Sequence, residues 1–445
     1  MKQLYLVVSG LFLLATTAIA QQNPWQRLSG VRSNVPVLKN KITLLQPKLF
    51  ELNVASLRSS LAGASKRNAR VSSNRVVSFP NETGKLEKFS VVESSNMDPV
   101  LATKYPDIKS YIGKGVEDPT QSIYFSLSPR GLQTMLIRPG KPTLFIEPYT
   151  EDKQTYVVYS SGDREKTLTP FECKVKETAK TAIQLNANLA NRPNADDGIL
   201  RTYRVAISCT GEYSQYFGGT TAAALAGINA TLTRINGIFE TDFGVHLNLI
   251  ANNEKLIYLD PAADPYASPD LGNLSLWNAQ LPAVLSNVVG SQSYDVGHLF
   301  AGEAVGGNAG SVGWICVDPE NSPNNNKGNA YSAFAVPEGD LFEMQYVAHE
   351  FGHQFGASHV FSHTPEYAQT QIEPGVGTSI MSYRDPTTQV PGEPAYGAYF
   401  NAISIRQIME VVKRTSCQVN TATGNAIPTA NAGPDYTIPK STAFI

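Results

Sequence analysis

Apolar residues follow two different periods along this chain, and the change between them divides it. In the first half the runs are short, rich in β-branched and aromatic residues, and closed by turn residues. Residues 122–127 (SIYFSL), 142–148 (PTLFIEP) and 155–160 (TYVVYS) are examples. That pattern predicts strands. Further on, helical spacing enters. Residues 220–239 carry apolar positions at helical intervals, with Thr220 as N-cap. Residues 274–289 read as a second helix, and residues 340–355 as a third with Asp340 as its N-cap. Among them, residues 202–208 (TYRVAIS), 245–250 (VHLNLI) and 295–300 (DVGHLF) read as strands. The expected fold is therefore α+β in the second half, a mixed sheet with helices, preceded by a β-rich domain.

A chain of 445 residues exceeds one ordinary core. Residues 181–200 (TAIQLNANLANRPNADDGIL) are rich in Asn, Ala and Asp and read as an exposed linker open to proteolytic nicking. We divide the chain at 1–20, 21–197, 198–420 and 421–445. The first piece, MKQLYLVVSGLFLLATTAIA, has a positive start, an apolar run and a small-residue Ala-Ile-Ala end. It reads as a signal peptide cut after Ala20, so the mature chain is expected to be secreted and extracellular. No later segment approaches the length needed to span a bilayer. The net charge of −2, with no basic run and no glycine-rich phosphate loop, argues against a nucleic-acid partner. The four cysteines, Cys173, Cys209, Cys316 and Cys417, allow three full pairings.

Three of the six histidines fall within residues 349–359, HEFGHQFGASH. His349 and His353 are one helical turn apart on one face, so both imidazoles can reach one ion. Gly356 can adopt a left-handed conformation that ends the helix and turns the chain back. His359 then supplies a third ligand. Three imidazoles leave a fourth tetrahedral position open, which marks a catalytic zinc rather than a structural one. Glu350 points in a different direction from the two ligands and can take a proton from water activated by the ion. Chance assembly of this pattern is on the order of 10⁻⁶ to 10⁻⁵. His246, His298 and His363 read as structural or loop residues.

The motif resembles the signature of the metzincin zinc peptidases. That resemblance makes Met381, in residues 378–383 (TSIMSY), the hydrophobic floor under the metal. It makes Tyr383 a zinc ligand at rest or a stabiliser of the oxyanion, against the plain reading of a buried tyrosine. Residues 201–208 (RTYRVAIS), 294–300 (YDVGHLF) and the Cys-x-x-Asn at Cys417–Asn420 are similar to the reprolysin (adamalysin) branch, particularly secreted bacterial members. The branch implies a Cys316–Cys417 disulfide. It also implies a calcium ion at Asp295 and Asn420, although the first strand lacks the glutamate that would complete that site. Val360 stands where many members have aspartate. The tail after Asn420 resembles the opening of an immunoglobulin-like β module.

By the same resemblance, residues 21–197 are a propeptide, and Cys173 can occupy the open zinc position and keep the enzyme latent. A Cys173–Cys209 disulfide or a buried free thiol are the alternatives. The expected function is a secreted zinc endopeptidase made as a zymogen, acting on protein or peptide substrates. The alternative is a catalytically silent, zinc-containing adhesin or matrix-binding protein.

Overall fold

The structure is a computed structural model that describes residues 23–31, 34–38, 44, 47–67, 73–160, 163, 173–175, 197–268, 274–363, 370–383 and 397–426. The signal peptide, the linker at 181–196 and the tail from 427 lie outside the described residues.

The first half is one antiparallel sheet of nine strands: β1 (Trp25–Arg27), β2 (Lys48–Leu52), β3 (Arg75–Pro80), β4 (Leu86–Glu93), β5 (Lys109–Gly115), β6 (Ser122–Ser128), β7 (Gly131–Ile137), β8 (Leu144–Pro148) and β9 (Thr155–Ser160). Their order is β1-β2-β9-β8-β7-β6-β5-β4-β3. One face, with Phe79, Phe89, Phe125 and Tyr156, makes its own core under α1 (Val54–Leu61). The other face carries Met135, Phe145 and Tyr159 into a second core shared with the rest of the chain. Both faces are thus covered, which is why β6 is buried at every position rather than alternating.

The second sheet contains β10 (Ile199–Cys209), β11 (Val245–Leu249), β12 (Val296–Ala301), β13 (Val305–Asn308), β14 (Ala330–Phe334) and β15 (Val419–Ala422). Its order is β11-β10-β12-β14-β13, with β15 also on β10. β10, β11, β12 and β14 run parallel, while β13 and β15 are antiparallel to their neighbours. β15 runs to Ala422 and pairs it with Ile199, so the boundary expected at 420 falls inside a strand of this sheet.

Beside the short helices α2 (Pro99–Lys104) and α3 (Gly211–Tyr216), two long helices fill the crossovers: α4 (Thr221–Phe243) between β10 and β11, and α5 (Ser275–Val288) before β12. α4 begins as the sequence predicts, with the Thr220 side chain accepting from the Ala223 N–H, and ends at left-handed Gly244. It is buried almost all round because it lies between the two sheets. Several of its polar residues are paired across to the N-terminal half. Arg234 donates to Glu343 (2.6 Å), Glu147 of β8 (3.2 Å) and the Thr134 carbonyl (3.1 Å). Asn96 donates to Thr233 and accepts from Asn236. Such a buried cation persists because its counter-charges are in place.

The third expected helix differs from the sequence reading. Leu341–Ala348 is a π-helix, followed without a break by α6 (His349–Phe355). Asp340 is not an N-cap: its backbone is already helical, and its carboxylate accepts instead from the Tyr159 hydroxyl at 2.8 Å. The long-range contact wins over the local one.

α7 (Ala402–Val412) closes the molecule against α4 and α6. Asp242 near the end of α4 accepts the Phe400 N–H at 2.9 Å, and burial pushes its carboxyl up to about 7. The folded state therefore holds this proton more tightly than the unfolded chain, and stability falls as pH rises from about 4 to about 7. Asp242→Asn keeps the acceptor and is expected to stabilise the protein on the order of 2 kcal/mol at pH 8, after allowance for solvent. The gain should shrink at pH 5. Equal shifts in melting midpoint at the two pH values would contradict this.

Candidate metal centre and active site

α6 places His349 and His353 one turn apart, and Gly356 ends it with φ 116°. The Gly356 and Ala357 N–H groups donate to the His353 and Gly352 carbonyls, which turns the chain back. His359 then faces the helix it has just left. The three Nε2 atoms converge: 3.1 Å from His349 to His353, 3.1 Å from His353 to His359, and 3.2 Å from His349 to His359. All three side chains are fully buried. The Cys173 Sγ is 3.6 Å from the His353 Nε2, and the four ligand atoms lie within 4.8 Å of one another.

The tautomers follow from the outer partners. His349 Nδ1 lies 2.7 Å from the Ile380 carbonyl and His353 Nδ1 2.8 Å from the Ala357 carbonyl. A carbonyl only accepts, so both Nδ1 atoms carry the proton and both Nε2 lone pairs face inward. Burial, and then the neighbouring imidazoles, hold both rings well below the usual range for protonation. Inward lone pairs at such distances repel unless a cation stands between them. A tetrahedral zinc with bonds of ~2.0–2.1 Å to nitrogen needs nitrogen–nitrogen edges of about 3.3–3.4 Å, close to those seen. The residues fit zinc.

Met381 is fully buried beneath α6, and the third-ligand segment is tied to it by a bond from the Val360 N–H to the Met381 carbonyl (3.1 Å). Gly352 makes this approach possible, since a Cβ there would stand 2.5 Å from the Met381 Sδ and 2.8 Å from the Phe400 ring. The Tyr383 ring lies 4.6 Å from that of His359, and its hydroxyl donates to the Cys173 carbonyl at 3.2 Å.

Glu350 is buried, and among the described residues no hydrogen bond of normal geometry reaches either carboxylate oxygen. The Cys173 thiol and the Ala309 backbone are the polar groups facing it. Burial pushes its carboxyl well above the usual range. Gly307 on β13 leaves room for it, because a Cβ there would collide with the carboxylate. The sequence reading passed over Gly307 and Gly352. Gly352 sits at a variable position of the motif, and only its crowding by Met381 reveals its role.

Cys173 reaches the centre from the N-terminal half. It forms a parallel bridge with Gly307, and the Lys174 N–H donates to the Gly307 carbonyl at 2.8 Å. Cys173 and Cys209 are both free and buried, so the alternative disulfide between them is not formed. Burial, and then the nearby Glu350, push the Cys173 thiol well up, a tendency that binding to a metal cation reverses. Cys316 and Cys417 are joined by a disulfide, as the resemblance implied.

Both oxygens of Asp295 are engaged by Arg204, through its backbone N–H (2.8 Å) and its guanidinium (2.7 Å). A guanidinium thus neutralises the carboxylate expected to hold calcium, while Asn420 lies on β15 opposite Arg201. His246 pairs with Glu240, His298 bonds Gln354 and Ser332, and His363 is exposed beside Phe361. Among the described residues no helix is long and apolar enough to cross a membrane.

The packing of α6 on Met381 generates a test. Gly352→Ala is expected to cost ~1–3 kcal/mol by overpacking and to lower zinc retention. A melting midpoint and zinc content equal to wild type would contradict the close approach.

A family profile described as metallopeptidase family M12B, reprolysin-like, matches residues 199–411. The match runs from the first residue of β10 to within one residue of the end of α7, and so takes in the whole histidine centre. No match was found among the curated proteins. Over these residues the chain is similar to the reprolysin-like metallopeptidases of family M12B.

Proposed function

We propose that the chain is a secreted zinc endopeptidase made as a zymogen, with Glu350 as general base and residues 21–197 as the propeptide. The observation that carries this reading is the convergence of three Nε2 atoms beside a buried carboxylate that has no ordinary hydrogen-bond partner among the described residues. His349, His353 and His359 would hold zinc. The bound ion supplies Lewis-acid polarisation of the scissile carbonyl and makes water acidic enough to react. Glu350 takes the proton from the attacking water and passes it to the leaving amine nitrogen. Its raised affinity for protons, caused by burial, suits both steps. Tyr383 donates from its hydroxyl to the developing oxyanion, at the place where it now donates to the Cys173 carbonyl. An extended substrate would lie along the outer edge of β13, pairing with its backbone.

Latency is supported by what now lies on that edge. Cys173 and Lys174 pair with Gly307, and the thiol lies 3.6 Å from the His353 Nε2, within the same cluster as the other two imidazoles. Zinc favours thiolate, so the sulfur would fill the fourth position and keep water out. Export of the chain rests on the sequence of residues 1–20.

Glu350→Gln is expected to keep about one zinc per chain and lose ~10²–10⁴-fold in peptide hydrolysis. Turnover near wild type would remove Glu350 from the mechanism. Cys173→Ser is expected to make the uncleaved chain hydrolyse an unfolded protein that the wild-type uncleaved chain leaves intact. Equal latency in both would show that the thiol is not what closes the site.

A further inference from the structure

Ten residues before Tyr383, a carboxylate gathers the chain beneath the metal centre. Glu373 Oε2 accepts from the Thr378 N–H (2.8 Å), the Ser379 N–H (3.1 Å) and the Ser382 hydroxyl (2.5 Å). Its Oε1 accepts from the Asn401 side-chain amide at 3.1 Å. The backbone wraps closely round it: Gly377 has φ 72°, and a Cβ there would stand 2.5 Å from Oε2 and collide with Ser382 Oγ. Consecutive amides closing on an oxygen form an anion-binding concavity, and here the anion belongs to the chain itself. Burial pushes the Glu373 carboxyl up, but the bonds from Ser382, Asn401 and Ser379 together outweigh it and hold it below the ordinary range.

The neighbours of this carboxylate are the parts that orient the ligands. The Glu373 N–H donates to the Val360 carbonyl, next to His359. The clamped turn leads directly to Ile380, whose carbonyl fixes His349, then to Met381 and Tyr383. Asn401 caps α7 by accepting from Ile403 and Ser404, and Gln407 of α7 accepts the Ser358 N–H at 2.9 Å. We propose that Glu373 is a positioning residue for the zinc centre, an internal anion that locks the His359 segment, the turn under the metal and the start of α7 into one arrangement.

The negative charge matters because four donors meet two oxygens. A glutamine offers one oxygen and one amide nitrogen, so one set of donors would face another donor. Asn401 cannot relieve this by flipping, since its oxygen is committed to the cap of α7.

The inference rests on the zinc reading above, and the test separates the two. Full-length wild type and Glu373→Gln are loaded with zinc. The rate of zinc transfer to a chelating dye is followed, and melting midpoints are measured with and without zinc. Zinc release from Glu373→Gln is expected to be ~10-fold faster, with a smaller zinc-dependent rise in midpoint. Ser382→Ala, which removes one donor and little volume, should accelerate release about fivefold, and it stands in if the first variant does not fold. Release rates equal to wild type, with both midpoints lowered equally, would make Glu373 a plain structural residue and overturn the inference alone. A wild-type chain that binds no zinc would overturn the zinc reading and this inference with it.

Discussion

Two of the three buried imidazoles must present lone pairs to one point, because their other nitrogens are committed to backbone carbonyls. Ile380 fixes His349 and Ala357 fixes His353, and the nitrogens that remain face each other at 3.1 Å. Only a cation relieves that repulsion, and much of the surrounding structure serves to impose it. Gly356 turns the chain so that His359 arrives. Gly352 lets Met381 come up under the helix. The anchored turn brings the Ile380 carbonyl to His349.

The N-terminal sheet meets the second half on three sides. Asn96 and Asp98 exchange hydrogen bonds with Leu249 at the β11 edge. Cys173 and Lys174 take the β13 edge. Between these edges α4 lies against β5, β6 and β7, with Arg234 held by Glu147 on one side and Glu343 on the other. Both open edges of the sheet are thereby covered. Much of this interface is polar, and polar groups that pair across it can be solvated after separation. In the proposed zymogen, an attachment of this kind would suit a domain that leaves before a substrate lies on β13.

The metal centre was legible in the sequence because its chemistry is local. A four-residue helical spacing, a glycine and a third histidine place the ligands whatever the rest of the chain does. The strands at 122–127 and 155–160 and the helix from Thr220 were legible for the same reason, as period and cap lie within a few residues. What could not be read depends on distant contacts. Asp340 has the residue type of an N-cap, yet Tyr159, from the other half of the chain, claims its carboxylate. The π-helix ahead of α6 leaves no mark in the hydrophobic spacing. The pairing of Asp295 with Arg204 joins residues 91 positions apart, which local spacing does not show. The place of Cys173 depends on a strand edge more than 130 residues away in sequence, which spacing alone could not supply.

In the proposed centre a zinc ion is held by three imidazoles and, in the uncleaved chain, by one sulfur. Zinc-edge X-ray absorption of the purified full-length protein reads that ligand set. Three nitrogen scatterers at ~2.0–2.1 Å and one sulfur at ~2.3 Å are expected. A shell of nitrogen and oxygen alone would contradict the place given to Cys173, and a protein without bound zinc would contradict the centre itself.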